Sequence, residues 1–353
     1  MSDITPDTDL LTLTDAQRLE LAEKLKSEST SHQPLISHIE PIEVLEHEYS
    51  SNEPFLGKIR WLRDEAGFIG IRRAKADGDC FYRAFAFAFI HKILMMKDRP
   101  MHHFTLKHVE STLQLLKQAG FEEEVYMDFY EPLKNLLTRM YSTDPETKEL
   151  NEAELVIAMN DPEQSNSIVV YLRLLTSAFL KINAEEYTPF LFSLDNASSD
   201  ANPPDMATFC ANQVEAIGKE ADHVQITTLS RALKVSLDVA YLSPSQAPPE
   251  TPIDEEFPPE IEQLTISQTN AHKSTPSSSA TGAESIQVPG ADAEKRRSAA
   301  EHPNRCDVVR FEVEGGQITE IGTMLLRPGH YDLLVEAPAP ASPEPEIPPV
   351  ESA

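Results

Sequence analysis

Basic residues are scarce: 30 Lys and Arg stand against 58 Asp and Glu in 353 residues, a formal net charge of −28. Sequence-independent binding to nucleic acid needs clustered cations to release counterions, so this balance argues against a nucleic-acid partner. It argues equally against an anionic membrane surface. Cysteine is scarcer still. Three thiols are too few, and odd in number, for a disulfide framework. Long apolar runs are missing too: residues 85–90 run into His91 and Lys92, and residues 168–180 are interrupted by Arg173. Neither approaches the ~18 uninterrupted apolar residues of a bilayer span. Residues 1–9 are acidic and lack the basic and apolar regions of a secretion signal. The expectation is a soluble, reduced, intracellular protein, cytoplasmic with the nucleus as a second location. Its length allows one large or two ordinary domains.

Proline and charge divide the chain. Residues 244–303 hold nine prolines and ten acids against four bases, and residues 337–353 add six prolines. Such segments have too little apolar surface to offset ordering entropy, so they read as a disordered insertion and a disordered tail. Residues 1–34 read as a flexible acidic arm. Within it Thr14 and Gln17 have capping-box spacing ahead of Leu19, Ala22 and Leu25, which predicts a short helix. The folded body is then residues 35–243 and 304–336.

That body begins with helical periodicity. Residues 80–95 are apolar almost all round (Phe81, Phe85, Phe87, Phe89, Ile93, Leu94), the mark of a helix buried in a core. Residues 105–119, 124–140 and 151–160 read as amphipathic helices. In 165–183, Ile168, Tyr171, Leu172, Leu175, Ala178 and Phe179 recur at three and four. The period then changes: Val235, Leu237, Val239 and Tyr241 alternate with Ser236, Asp238 and Ala240, as in a strand. Residues 308–313, 318–326 and 330–335 read as three more strands, with Gly315-Gly316 as a hairpin turn between the first two. Helices followed by strands predict an α+β fold with a mainly antiparallel sheet.

Two segments carry chemistry. In Asp77-Gly78-Asp79-Cys80, the glycine permits a tight turn and the cysteine opens the apolar helix. A thiol there meets the positive end of the helix dipole, which favours thiolate, and unpaired N–H groups that suit an oxyanion. The alternative for Cys80 is a small buried hydrophobe. In Arg327-Pro328-Gly329-His330-Tyr331-Asp332, a histidine sits where a turn enters an apolar strand. Residues two apart on a strand share a face, so Asp332 could orient the His330 imidazole. Alternatively, His330 is a solvated strand end and Asp332 a surface ion-pair partner. A thiol, a base and an orienting group together form the thiol-protease constellation. Other conspicuous residues have simpler explanations. Cys210 and Cys306 read as structural, and Asp222-His223 as helix capping. His102, His103 and His108 have no Cys or acid at metal-ligand spacing, and Lys295-Arg296-Arg297 is too short to establish nuclear import.

Both segments together resemble the otubains, the ovarian-tumour class of deubiquitinating cysteine proteases. Those enzymes carry Asp-Gly-Asn-Cys-Phe-Tyr-Arg-Ala at the nucleophile and Arg-Pro-Gly-His-Tyr-Asp at the histidine. Residues 49–73, Phe209-Cys210 and residues 220–226 add to the likeness, which runs from about residue 35 to 243 and again over 306–335. The resemblance implies a papain-like fold, a helical subdomain with a mainly antiparallel sheet. It implies Cys80 as nucleophile, His330 as general base and Asp332 as its orienting group. Asp77 would belong to the oxyanion loop, acting through backbone groups. The implied reaction is hydrolysis of isopeptide bonds in polyubiquitin, of the proteasome-targeting linkage, with no cofactor or metal. Its partners would be ubiquitin and polyubiquitin chains. A non-catalytic alternative is inhibition of a ubiquitin-conjugating enzyme. One position departs from the pattern: Asp79 stands where otubains have Asn. A carboxylate facing the thiol would oppose thiolate formation, in which case Asp79→Asn would speed cleavage; otherwise Asp79 points into solvent or caps the helix.

Overall fold

Strand β1 (Ile36–Pro41) leads through helices α1 (Glu43–Glu48) and α2 (Glu53–Asp64) into β2 (Phe68–Ala74). A helical block follows: α3 (Cys80–Met96), α4 (Arg99–Ser111), α5 (Leu113–Gln118), α6 (Glu123–Arg139), α7 (Glu152–Asn160), α8 (Pro162–Ile182) and α9 (Ala184–Leu194). The single turn α10 (Met206–Phe209) runs into a π-helical turn, Cys210–Glu215. Helix α11 (His223–Leu233) then delivers the chain to β3 (Leu237–Tyr241), β4 (Asp307–Phe311), β5 (Thr323–Arg327) and β6 (His330–Glu336). This computed structural model describes Thr14 and residues 30–142, 147–194, 205–243 and 304–337, except 314, 317 and 319. The helix expected after Thr14, the 244–303 insertion and residues 338–353 lie outside the described residues.

The strands form one six-stranded sheet in the order β1-β2-β6-β5-β3-β4. Every pairing is antiparallel except β3 with β5, so the α+β, mainly antiparallel expectation holds. The expected hairpin at Gly315-Gly316 does not form. Strand β3 lies between β4 and β5, with Asp238 opposite Arg310 on one side and Thr323 on the other. The strand expected over 318–326 is reduced to β5, and Ile318 makes a lone parallel bridge to Val235. The expected 105–119 helix is two helices. Asp98 caps the first by accepting from Met101 N at 2.9 Å, with Pro100 in its first turn, where a missing N–H costs nothing. Between them the Thr112 hydroxyl engages Val109 O and Tyr171 Oη.

The first three turns of α3, residues 80–90, are buried on every side because they are covered by the sheet and by α8. Phe81, Phe85, Phe89 and Ile90 are each at most 1% exposed, and each such side chain stabilises the fold by about 2–3 kcal/mol relative to exposure. Those phenylalanines belong to the larger core, shared with α6, α7, α8 and α11. A second core lies on the opposite side of the sheet, where Ile42, Leu45, Phe55, Ile59 and Leu62 of the α1–α2 segment meet Ile71, Leu325 and Leu334. Strands β2 and β6 therefore sit between two apolar layers, and their ends present the groups described next. Among the described residues no helix is long and apolar enough to cross a membrane.

Candidate active site

The connection from β2 to α3 is a tight loop held from several directions. Gly78 adopts φ +86°, and a Cβ on it would lie 2.0 Å from Gly218 O; no side chain fits there. Asp77 Oδ1 accepts from Asp79 N at 3.0 Å. The same carboxylate pairs with Arg83, Nη1 to Oδ1 at 3.2 Å and Nη2 to Oδ2 at 3.0 Å. Arg83 is a buried charge on an otherwise apolar helix, and Asn166 takes another of its protons at 3.1 Å. The Asp77 N–H is held by Lys75 O at 2.9 Å. Asp77 thus shapes with its side chain the loop that leads into Cys80. Donors remain nearby. At the N-terminus of α3 the amides of Gly78 and Cys80 have no intrahelical partner, and none of the described residues accepts from them.

Cys80 is buried at the first position of α3. Its Sγ accepts from Tyr331 N at 3.5 Å, which draws the helix terminus against the start of β6. Two residues around it on that strand, His330 and Asp332, share a face as the pleat requires. His330 Nε2 lies 2.9 Å from Asp332 Oδ1. The other ring nitrogen, Nδ1, is buried with no hydrogen bond in this geometry. Burial lowers the imidazole pKa, but the Asp332 hydrogen bond and the neighbouring Cys80 outweigh it, and the ring is raised to about 9. Asp332 is fully buried. Its Oδ1 also accepts from Ala74 N at 3.0 Å, and its Oδ2 from Arg327. Burial pushes this carboxyl up, but the His330 hydrogen bond and the Arg327 charge hold it below its ordinary value. Arg327 in turn reaches Glu48 at 3.1 Å. A thiol, an imidazole and a buried carboxylate therefore meet where β2, β6 and α3 converge.

Asp79 matches neither sequence reading of it. It is 5% exposed and makes no capping bond to α3, and its Oδ1 accepts from Arg173 Nε at 2.9 Å and from Gly218 N at 3.1 Å. Its charge is taken up by a guanidinium, so the expected speeding of cleavage by Asp79→Asn does not follow from this geometry.

A family model described as Peptidase C65 Otubain matches residues 28–336. The chain belongs to the otubain family. Among its relatives, the ovarian tumor domain-containing deubiquitinating enzyme 1 of Arabidopsis thaliana is 33% identical over 221 residues, 62% of this chain and 69% of that one. Human ubiquitin thioesterase OTUB1 is 30% identical over 221 residues, 62% of this chain and 74% of that one. A solved structure titled h/ceOTUB1–ubiquitin aldehyde–UBC13~Ub shares the fold, with TM-score 0.64 and 23% identity over 92% of this chain and 99% of that one. As an otubain, the chain is a cysteine-type deubiquitinase.

Cys210, Cys306, His102, His108, Asp222 and His223 have structural partners in this otubain, whereas Lys295-Arg296-Arg297 lie outside the described residues. Burial raises the Cys210 thiol to about 11 and Cys306 to about 12, and Cys306 Sγ donates to Tyr241 O at 3.3 Å. His102 and His108 bond the carbonyls of Leu137 and Ala232 from different helices. Asp222 caps α11 in a capping box with Gln225, while His223 stacks on Tyr241 and meets its Oη at 2.9 Å. Arg173 and Arg83 escaped the sequence reading as site residues. Their signal was a cation inside an apolar helical stretch, read in the case of Arg173 only as an interruption.

Proposed function

We propose that this otubain hydrolyses the isopeptide bond between the C-terminal glycine of one ubiquitin and a lysine of the next. The observation that carries the proposal is the His330 imidazole, hydrogen-bonded to Asp332 through Nε2 and neighboured by Cys80. His330 takes the Cys80 proton and the sulfur attacks the glycine carbonyl, forming a C–S bond. The developing oxyanion meets the N–H groups of Gly78 and Cys80. Collapse of the intermediate breaks the C–N bond, and the imidazolium gives its proton to the departing lysine amine. A water deprotonated by His330 then cleaves the thioester, restoring the thiol and releasing a ubiquitin carboxylate. Asp332 makes no bond to substrate; it fixes the ring orientation and favours its protonated form.

Family likeness supports the proteasome-targeting linkage as the preferred one. The relatives' names, ubiquitin thioesterases OTUB1 and OTUB2, support ubiquitin as the acyl donor. Cleavage of a panel of di-ubiquitins by wild type and Cys80→Ala tests both points. Turnover of that linkage by wild type alone is expected, and equal turnover by Cys80→Ala overturns the mechanism. The solved complexes titled with UBC13~Ub and UBCH5B~Ub support a second mode, holding a charged conjugating enzyme without cleavage. That mode survives Cys80→Ala in an assay of ubiquitin discharge, whereas hydrolysis does not.

A further inference from the structure

The guanidinium of Arg173, fully buried at the middle of α8, gathers two segments that are far apart in sequence. From the nucleophile loop it takes Asp79 Oδ1, at 2.9 Å from Nε and 2.5 Å from Nη2, and Gly78 O at 3.2 Å. From the π-helical turn it takes Val214 O at 2.9 Å, and from the segment after it Lys219 O at 2.6 Å. Asp79 bridges the same gap from the other side, since its Oδ1 also accepts from Gly218 N at 3.1 Å. Between these bonds, Gly78 packs directly on Gly218 O, and the guanidinium lies 4.4 Å above the Tyr82 ring, on the first turn of α3. These contacts end on the nucleophile loop and the first turn of α3, which carry the Gly78 and Cys80 amides, or on the segment braced against them.

We infer that Asp79 and Arg173 are a coupled pair of positioning residues that lock the nucleophile loop against residues 214–219 and so aim the Gly78 and Cys80 N–H groups at the reaction's oxyanion. The inference rests on the catalytic reading of Cys80 proposed above. Only Oδ1 of Asp79 accepts from Arg173 and Gly218, and an asparagine keeps an oxygen at that position. A neutral side chain can therefore reproduce the three acceptor contacts and lose only the charge. Arg173 has no such substitute. Without it, a buried carboxylate is left beside carbonyls with no cation, which is worse than removing both charges.

The test compares steady-state di-ubiquitin cleavage with iodoacetamide alkylation of Cys80 in Asp79→Asn, Asp79→Ala, Arg173→Gln and the double variant Asp79→Asn/Arg173→Gln. Alkylation needs the sulfur but no oxyanion. Asp79→Asn should stay within about threefold of wild type in kcat. Asp79→Ala should lose roughly 10- to 100-fold in kcat, with KM and alkylation rate within about threefold of wild type. Arg173→Gln should fall furthest, in kcat and in thermal midpoint, and adding Asp79→Asn should recover part of both. Equal losses of alkylation and cleavage in Asp79→Ala, unchanged kcat in that variant, or strictly additive effects in the double variant would each overturn the inference. Cys80→Ala runs alongside: turnover there would overturn the catalytic reading itself, while the thermal coupling of Asp79 and Arg173 would still be read out independently.

Discussion

His330 is the residue whose environment makes the sharpest demand on pH. Its folded-state value of about 9 lies above the ordinary 6.5, so protonated His330 contributes stability that is complete below about pH 6.5. That contribution is lost as pH rises through 9. The difference corresponds to roughly 3–4 kcal/mol at most, since each factor of ten is worth about 1.4 kcal/mol. Asp332 has the opposite sign. Its carboxyl is held below the ordinary 3.8, so its contribution is present above that value and fades as acid is added. Thermal midpoints measured from pH 6 to 10 should therefore decline more steeply for wild type than for His330→Ala; parallel profiles would contradict the raised imidazole. Cleavage should show an alkaline limb near pH 9, where the ring no longer carries the proton owed to the leaving amine. Cys80→Ala and His330→Ala should each abolish cleavage. Asp332→Ala should retain a trace, because it removes the orienting group and no bond-making atom. Activity of Asp332→Ala equal to wild type would show that the ring is oriented by something else.

At the scale of the element, the β2–α3 turn depends on backbone that only glycine allows. Gly78→Ala forces a Cβ against Gly218 O at a left-handed φ. The expected result is a fall in thermal midpoint and cleavage at least 100-fold slower, read by calorimetry and di-ubiquitin turnover. Within α3, Phe85→Ala should lower stability by about 3–5 kcal/mol through the cavity it leaves, measured by urea unfolding. Helix α3 was legible from sequence because its apolar residues are contiguous, and the triad because each half lies in one short motif. The Asp332–His330 contact follows from strand pleat alone. Arg173 was not legible as a partner of Asp79, since 94 residues separate them and no local pattern links a mid-helix cation to a loop acid. Strand β2 escaped notice for a different reason. It runs between β1 and β6 with buried residues on both faces, including Ile71 and Arg72, so it shows no period of two. The false hairpin arose because the Gly315-Gly316 signal is local, whereas placing β3 between β4 and β5 depends on the parallel register of β3 and β5.

In the whole molecule, Lys58 connects the two ends of the 244–303 insertion. This buried ammonium meets Ser243 Oγ at 3.3 Å and Asp307 Oδ2 at 3.4 Å, so the chain leaves and re-enters the body at one place. A long excursion between such close ends costs little extra closure entropy. Replacing residues 245–302 with a short Gly/Ser linker should leave the thermal midpoint and di-ubiquitin turnover nearly unchanged, and limited proteolysis of the intact chain should cut there first. A large loss of either property would mean that the insertion packs on the body or meets the substrate. The body itself is an otubain with three free cysteines, and the proposed assignment of its chemistry to one of them can be measured directly. Ubiquitin carrying a C-terminal thiol-reactive electrophile, incubated with the full chain, should add once per molecule, as read by intact mass. Peptide mapping should place the bond on Cys80, and Cys80→Ala should remain unmodified. Addition at Cys210 or Cys306, or undiminished addition to Cys80→Ala, would contradict Cys80 as the nucleophile.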